Sequence, residues 1–175
     1  MLGTGGNDTL TGSSYKDFIF GNGGNDTLSG ANGDDVIDGG DGTDTIKGGN
    51  GNDVLDGGAG GDILYGGAPD FTDSGNDTYK FGLGSGADMV YDYGSGNGNQ
   101  DTVEFKEGVR PEDVSFRVES VISPWTLEPE ILHLRIVLTS GQDSMLINDW
   151  FRNENYRIER FVFADGTVIT ASEVE

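Results

Sequence analysis

The sequence predicts an all-β protein, a parallel β-solenoid followed by a small β-rich cap. Three observations predict it. Aspartates recur every nine residues, at Asp8, Asp17, Asp26, Asp35, Asp44, Asp53 and Asp62. Two residues after each stands a branched aliphatic: Leu10, Ile19, Leu28, Ile37, Ile46, Leu55 and Leu64. Beyond residue 105 the repeat is lost, and segments of alternating apolar residues take its place.

The repeating unit is G-G-x-G-x-D-x-U-x, with U aliphatic. Six positions rich in glycine suit a tight turn, because glycine tolerates positive φ. The remaining x-U-x suits a short strand with U on one face and its neighbours on the other. Nine residues therefore make half a coil, and two units make a coil of 18. Alternate units stack on the same side, with turns about 4.8 Å apart, the strand spacing.

One inward aliphatic per half coil buries too little to offset the ordering of the chain around it. Stacked carboxylates add repulsion. The missing stabilisation is expected from cations. Aspartates of successive turns converge between rows of backbone carbonyls, an all-oxygen set of hard ligands suited to Ca²⁺ and too loose for Mg²⁺. The expected ligands are Asp8, Asp26, Asp35, Asp44, Asp53, Asp62, Asp77, Asp88 and Asp101. With them come the carbonyls of Gly21, Gly23, Gly30, Asn32, Gly39, Asp41, Gly48, Asn50, Gly57 and Ala59. The expected load is about five to eight calcium ions. A Gly/Asp-rich tract also suits a disordered linker. The fixed aliphatic phase argues against that, although without metal the segment is expected to be disordered. An EF-hand fails because no Glu stands at the twelfth position of any Asp-x-Asp loop.

Three places depart from the rule. "GSSYKDFIF" (12–20) puts Tyr15 and Lys16 where glycine and a small residue belong, so the cage between the turns at Gly12 and Gly30 is expected to be weak or absent. "GGAPDFTDSGNDTYK" (66–80) carries a six-residue insertion, expected to bulge while keeping Asp77 in place. Further on, the pattern loosens but keeps Asp88 with Val90 and Asp101 with Val103. Outward positions form two lines: Thr9, Thr27 and Thr45 on one side, Phe18, Val36 and Val54 on the other. The apolar line is expected to be covered, by residues 106–175 or by a neighbouring molecule.

The expected boundary lies near residue 105, dividing a repeat domain (1–105) from a cap (106–175). "VSFRV" (114–118) and "LHLRIVL" (132–138) alternate as half-buried strands. "YRIERFVFADGTVIT" (156–170) reads as a strand, a turn at Asp165-Gly166 and a second strand. "TASE" (170–173) has the pattern of a capping box before a short helix. Such a segment can close the open end of a solenoid.

Residues 3–68 resemble the nonapeptide repeats of the RTX (repeats-in-toxin) family, with haemolysin-type calcium-binding repeats. "GNDTYKFGLGSGADMVYD", "INDWF" and "FADGTVIT" resemble the region after the last repeats, including the capping segment of bacterial adenylate cyclase toxins. The resemblance implies a right-handed parallel β-roll and export by type I secretion machinery to a calcium-rich exterior. Its secretion signal is C-terminal and uncleaved. The chain stops at an expected helix start, "ASEVE", which leaves open whether that signal is present.

Composition narrows the function. The net charge is −21, and the repeat part carries 18 acidic residues against 3 lysines. Nucleic acid is disfavoured, because nothing could neutralise phosphates. The absence of cysteine excludes disulfides, zinc thiolates and thiol nucleophiles. No apolar run approaches a membrane span, and no N-terminal signal peptide is read.

The expected function is a secreted, monomeric calcium module that folds on Ca²⁺ binding after export and serves a larger toxin, enzyme or adhesin. No catalysis is expected from this chain. His133 lies in an alternating strand, where a structural role is the expectation, and Glu128 and Glu130 flank a proline in a loop. The alternative is an adhesin contacting glycan, peptide or ice, with Trp125 as a candidate exposed aromatic.

Overall fold

The computed structural model describes residues 1–67, 75–93, 99–122, 129–150 and 157–174. The first strands in chain order are β1 (Thr9–Thr11), β2 (Phe18–Gly23), β3 (Thr27–Asn32), β4 (Val36–Gly42), β5 (Thr45–Asn50), β6 (Val54–Gly60) and β7 (Ile63–Tyr65). Then come β8 (Thr78–Phe81), β9 (Ala87–Tyr91), β10 (Thr102–Phe105), β11 (Val114–Ile122) and β12 (Pro129–Leu138). The chain closes with β13 (Ser144–Ile147), β14 (Arg160–Val162), β15 (Val168–Thr170) and the helix α1 (Ala171–Val174).

Odd and even repeat strands sort into two sheets. One runs β1-β3-β5-β7-β9-β13-β12-β11, the other β15-β14-β10-β8-β6-β4-β2. Within the repeats every pairing is parallel, and the register steps by one coil: Thr9↔Thr27, Thr27↔Thr45, Phe18↔Val36, Val36↔Val54. The fold is a parallel β-roll. Its core is one row of inward side chains from each sheet. Ile19, Leu28, Ile37, Ile46, Leu55 and Leu64 are all fully buried.

The strands are longer than the three residues expected. β2 to β6 run six or seven residues, because the first turn residues also stack in register: Asn22↔Gly40, Ala31↔Gly49. Identical turns superpose, so backbone pairing continues through the bend. The second turn position needs a left-handed backbone, supplied by Gly40 (φ 100) and by Asn22 (φ 74) and Ala31 (φ 84), where the repeat lacks its glycine.

The insertion after Gly66 changes the step and not the stack. β8 follows β6 with Val54↔Thr78, a step of 24 residues, and the insertion itself lies outside the described residues. The C-terminal segment then extends both sheets. β13 pairs parallel with β9, β14 parallel with β10. The inward row continues as Val90–Ile147–Leu134 in one sheet and Tyr79–Val103–Phe161 in the other. The hairpin at Asp165-Gly166 forms as read: Phe163 N–H donates to the Thr167 carbonyl at 2.9 Å, and Gly166 has φ 88. Thr170 N–H donates to Glu173 Oε2 at 2.8 Å, the capping contact expected of "TASE".

The line Phe18, Val36, Val54 lies in register on the outer face. Phe18 is exposed, and Val36 and Val54 are half-buried. From the C-terminal segment Lys106 reaches this face, its Nζ 2.7 Å from Asp56 Oδ1. His133 is buried, and its Nδ1 accepts the Asp149 N–H at 3.0 Å. Trp125 and Glu128 lie outside the described residues.

Candidate metal centre

The repeat aspartates form a ladder along each edge of the roll. Each backbone N–H donates to Oδ1 of the aspartate one coil on: Asp8 to Asp26, Asp26 to Asp44, Asp44 to Asp62, at 2.7–2.8 Å. Asp62 then donates to Asp88 at 3.1 Å. On the opposite edge Asp17 donates to Asp35, Asp35 to Asp53, Asp53 to Asp77 and Asp77 to Asp101, at 2.7–2.9 Å. Asp77, Asp88 and Asp101 thus keep their rungs despite the irregular spacing.

A neighbouring ladder lies outside these. Asn76 N–H donates to Asn52 Oδ1 and Gln100 N–H to Asn76 Oδ1, at 2.8 and 2.7 Å. Sequence reasoning assigned nothing to this position, although Asn7, Asn25 and Asn52 recur there.

The ladder uses one carboxylate oxygen. The other, Oδ2, is buried and accepts no hydrogen bond in Asp26, Asp35, Asp44 and Asp62. Its direction is shown by the first glycine of each turn. A Cβ at Gly21 would fall within 3.0 Å of both Asp26 Oδ2 and the Gly39 carbonyl. Gly30 sits likewise against Asp35 Oδ2 and the Gly48 carbonyl, and Gly39 against Asp44 Oδ2 and the Gly57 carbonyl. The missing side chain leaves a cradle of oxygens from two coils. Of the other expected carbonyls, Asp41 and Asn50 accept the N–H groups of Gly24 and Gly33 at 2.9 and 2.8 Å. Gly23, Asn32 and Ala59 stand in register with Asp41, Asn50 and Asp41 respectively.

The first coil differs. Asp8 Oδ2 accepts from the N–H and hydroxyl of Thr4 at 2.6 and 2.8 Å, and Asp17 Oδ2 from those of Ser13 at 2.6 and 2.9 Å. These donors hold both carboxyls below the usual range. Further in, the sign reverses. Burial pushes Asp35 and Asp44 up, Asp62 to about 6 and Asp88 to about 8, with neighbouring aspartates adding to the effect. Buried carboxylates this close favour either protons or a cation.

The C-terminal segment continues one ladder and stops the other. Asp101 N–H donates to Glu159 Oε2 at 2.7 Å. The residue facing Asp88 in the next strand is Met145, fully buried. Glu159 was not expected from the sequence, where nothing periodic marks it.

Residues 2–37 and 38–68 match the RTX calcium-binding nonapeptide repeat, described as four copies per match. Residues 133–173 match the haemolysin-type calcium binding protein related domain. The chain carries RTX repeats followed by a haemolysin-type related domain. It is 40% identical over 101 residues to the iron-regulated protein FrpA of Neisseria meningitidis serogroup C. That alignment covers 56% of this chain and 8% of FrpA, so the chain spans a small part of this relative's length. Among solved structures it is similar to the solution structure of the AlgE6R3 subunit from the Azotobacter vinelandii mannuronan C5-epimerase. The TM-score is 0.49 at 20% identity, covering 99% of this RTX chain and 87% of that one.

The oxygens present fit calcium. They are carboxylates and carbonyls only, they converge in cradles that a methyl group would fill, and one oxygen each of Asp26, Asp35, Asp44 and Asp62 lacks a donor.

Proposed function

We propose that this RTX module takes up calcium between successive coils, with Asp26, Asp35, Asp44, Asp53, Asp62, Asp77, Asp88 and Asp101 as carboxylate ligands. The Gly21, Gly30, Gly39, Gly48 and Gly57 carbonyls complete the set. Folding is coupled to binding. The buried, donor-free Oδ2 atoms of Asp26, Asp35, Asp44 and Asp62 carry this reading. They represent a cost the fold cannot leave uncompensated at neutral pH. In low calcium the acidic ribbon repels itself and stays unfolded, which suits export through a type I channel. In millimolar calcium the ions neutralise the edges and the coils stack cooperatively. The module serves secretion and extracellular folding of a larger protein, and it supplies no catalytic group of its own.

Circular dichroism titrated with Ca²⁺ and separately with Mg²⁺ tests this. The expected result is a cooperative gain of β-structure with calcium and none with magnesium at the same concentration. The same β-rich spectrum after complete chelation would overturn it.

An adhesin reading finds support at a place other than Trp125. Tyr65, Tyr91 and Tyr93 stack with centroids 5.0–6.4 Å apart, and Lys47 lies over Tyr65. Flat aromatic faces of this kind accept sugar rings, and binding to a glycan array tests that reading.

A further inference from the structure

The position that is glycine in each repeat turn has been rewritten at the capped end, differently on the two edges. On one edge the column Gly21, Gly39, Gly57 continues into Phe81, one residue beyond the Asp56↔Lys80 pair. Phe81 is fully buried and packs on Phe105, with ring centroids 6.4 Å apart. A phenyl side chain thus stands at the register position that the repeat gives to its cradle glycine. The ladder on this edge then meets Met145. Apolar groups thus close this side.

On the other edge the column Gly30, Gly48, Gly66 continues into Asp92, one residue beyond the Tyr65↔Tyr91 pair. A Cβ at Gly66 already points at Asp77 Oδ2 and the Tyr79 hydroxyl, both within 3.0 Å. At Asp92 a carboxylate occupies this direction. One ligand oxygen each from Asp77, Asp92 and Asp101 lies within 4.8 Å of the others, and all three residues are buried. Asp92 is 2% exposed. Its Oδ1 accepts the Tyr79 hydroxyl at 2.8 Å, while its Oδ2 is buried and accepts no hydrogen bond. Among the described residues no lysine or arginine forms an ion pair with Asp92.

We infer that Asp77, Asp92 and Asp101 together hold one hard divalent cation where the roll meets the C-terminal segment, the two ladder aspartates being joined there by Asp92, which replaces the glycine of the repeat as an added carboxylate ligand. The inference rests on the reading of this chain as a calcium binder and extends it to a site of another kind. The repeat cradles pair one carboxylate with a carbonyl from the next coil. This one gathers three carboxylates, and affinity rises with ligand charge and rigidity. It also joins parts distant in sequence. Asp101 is tied to Glu159 of the cap, so an ion there braces the last coil against the segment that closes it.

The test is the number of calcium ions bound by the full chain at saturation, against Asp92→Asn. This change keeps an acceptor for Tyr79 and removes the charge. The expected result is one ion fewer, with a calcium midpoint for folding shifted upward. Asp92→Gly, which restores the residue of the repeat, is the second variant and is expected to lose the same ion. An unchanged count in a folded variant overturns the inference and leaves the repeat sites standing. A wild-type chain that takes up no calcium removes both readings. Where neither variant folds in calcium, the anomalous signal of calcium in crystals of the wild-type chain decides: an ion within bonding distance of an Asp92 carboxylate oxygen supports the inference, and ions confined to the repeat turns with none at Asp92 overturn it.

Discussion

The backbone N–H of Asp101 donates to Glu159 Oε2 at 2.7 Å, which places a glutamate from the cap on the next rung of an aspartate ladder that begins at Asp17. The RTX ladder is therefore completed by a residue outside the repeat. Burial pushes Glu159 up to about 7; the Asp101 N–H bond works against that rise, and the Asp101 charge adds to it. The contact binds cap to roll at the same edge as Asp92.

Replacing Glu159 with Ala leaves the Asp101 N–H without this acceptor in a partly buried place. The expected loss is about 1–3 kcal/mol of stability, read as a lower melting temperature in saturating calcium. Glu159→Gln keeps an acceptor and is expected to lose much less. Equal melting temperatures for wild type and Ala would show that the rung carries no weight.

The two edges of a coil predict graded effects along the ladder. Asp44→Asn keeps the Oδ1 acceptor for the Asp26 N–H but removes the charge of a carboxylate whose Oδ2 has no donor. Its calcium midpoint for folding is expected to rise. Asp17→Asn, whose Oδ2 is already held by Ser13, is expected to shift the midpoint less. Midpoints from circular dichroism check this; the reverse order would count against the cradle as the metal site.

Glycine separates space from composition. Gly39→Ala puts a methyl within 3.0 Å of Asp44 Oδ2 and the Gly57 carbonyl and is expected to abolish binding at that turn. Gly5→Ala meets nothing within 4 Å and is expected to be neutral. Isothermal calorimetry on both variants reads the ion count, and an unaltered count in Gly39→Ala would be the adverse result.

Acid should partly substitute for metal. Burial raises Asp62 from 3.8 to about 6 and Asp88 from 3.8 to about 8 in the fold. A raised carboxylate stabilises the fold when protonated. That contribution is complete below the unfolded value and is lost as pH rises through the folded one. The chelated chain is therefore expected to gain structure on acidification from pH 8 towards pH 4, and calcium to bind more weakly at the acid end. Tryptophan fluorescence in chelator across this range provides the check. A monotonic loss of structure on acidification would contradict it.

The sequence by itself determined the coil. A nine-residue phase carries the turn glycine, the ladder aspartate and the inward aliphatic together, so Asp8 to Asp62 and Leu10 to Leu64 could be placed without coordinates. Asp77, Asp88 and Asp101 could be followed across irregular spacing because each keeps its aliphatic or aromatic partner two residues on. All of this is local periodicity. Only the tertiary structure decided how the ends are finished. Thr4 and Ser13 hold the first carboxylates within their own turns, Phe81 and Met145 close one edge, and Asp92 and Glu159 keep the other edge acidic. Asp92 carries no sign of its register until β9 is laid on β7. Glu159 lies 58 residues beyond Asp101 and becomes its neighbour only when β14 pairs with β10. A repeat announces its contacts because each unit meets a copy of itself at a constant separation. A cap meets the roll once, at separations that no period encodes.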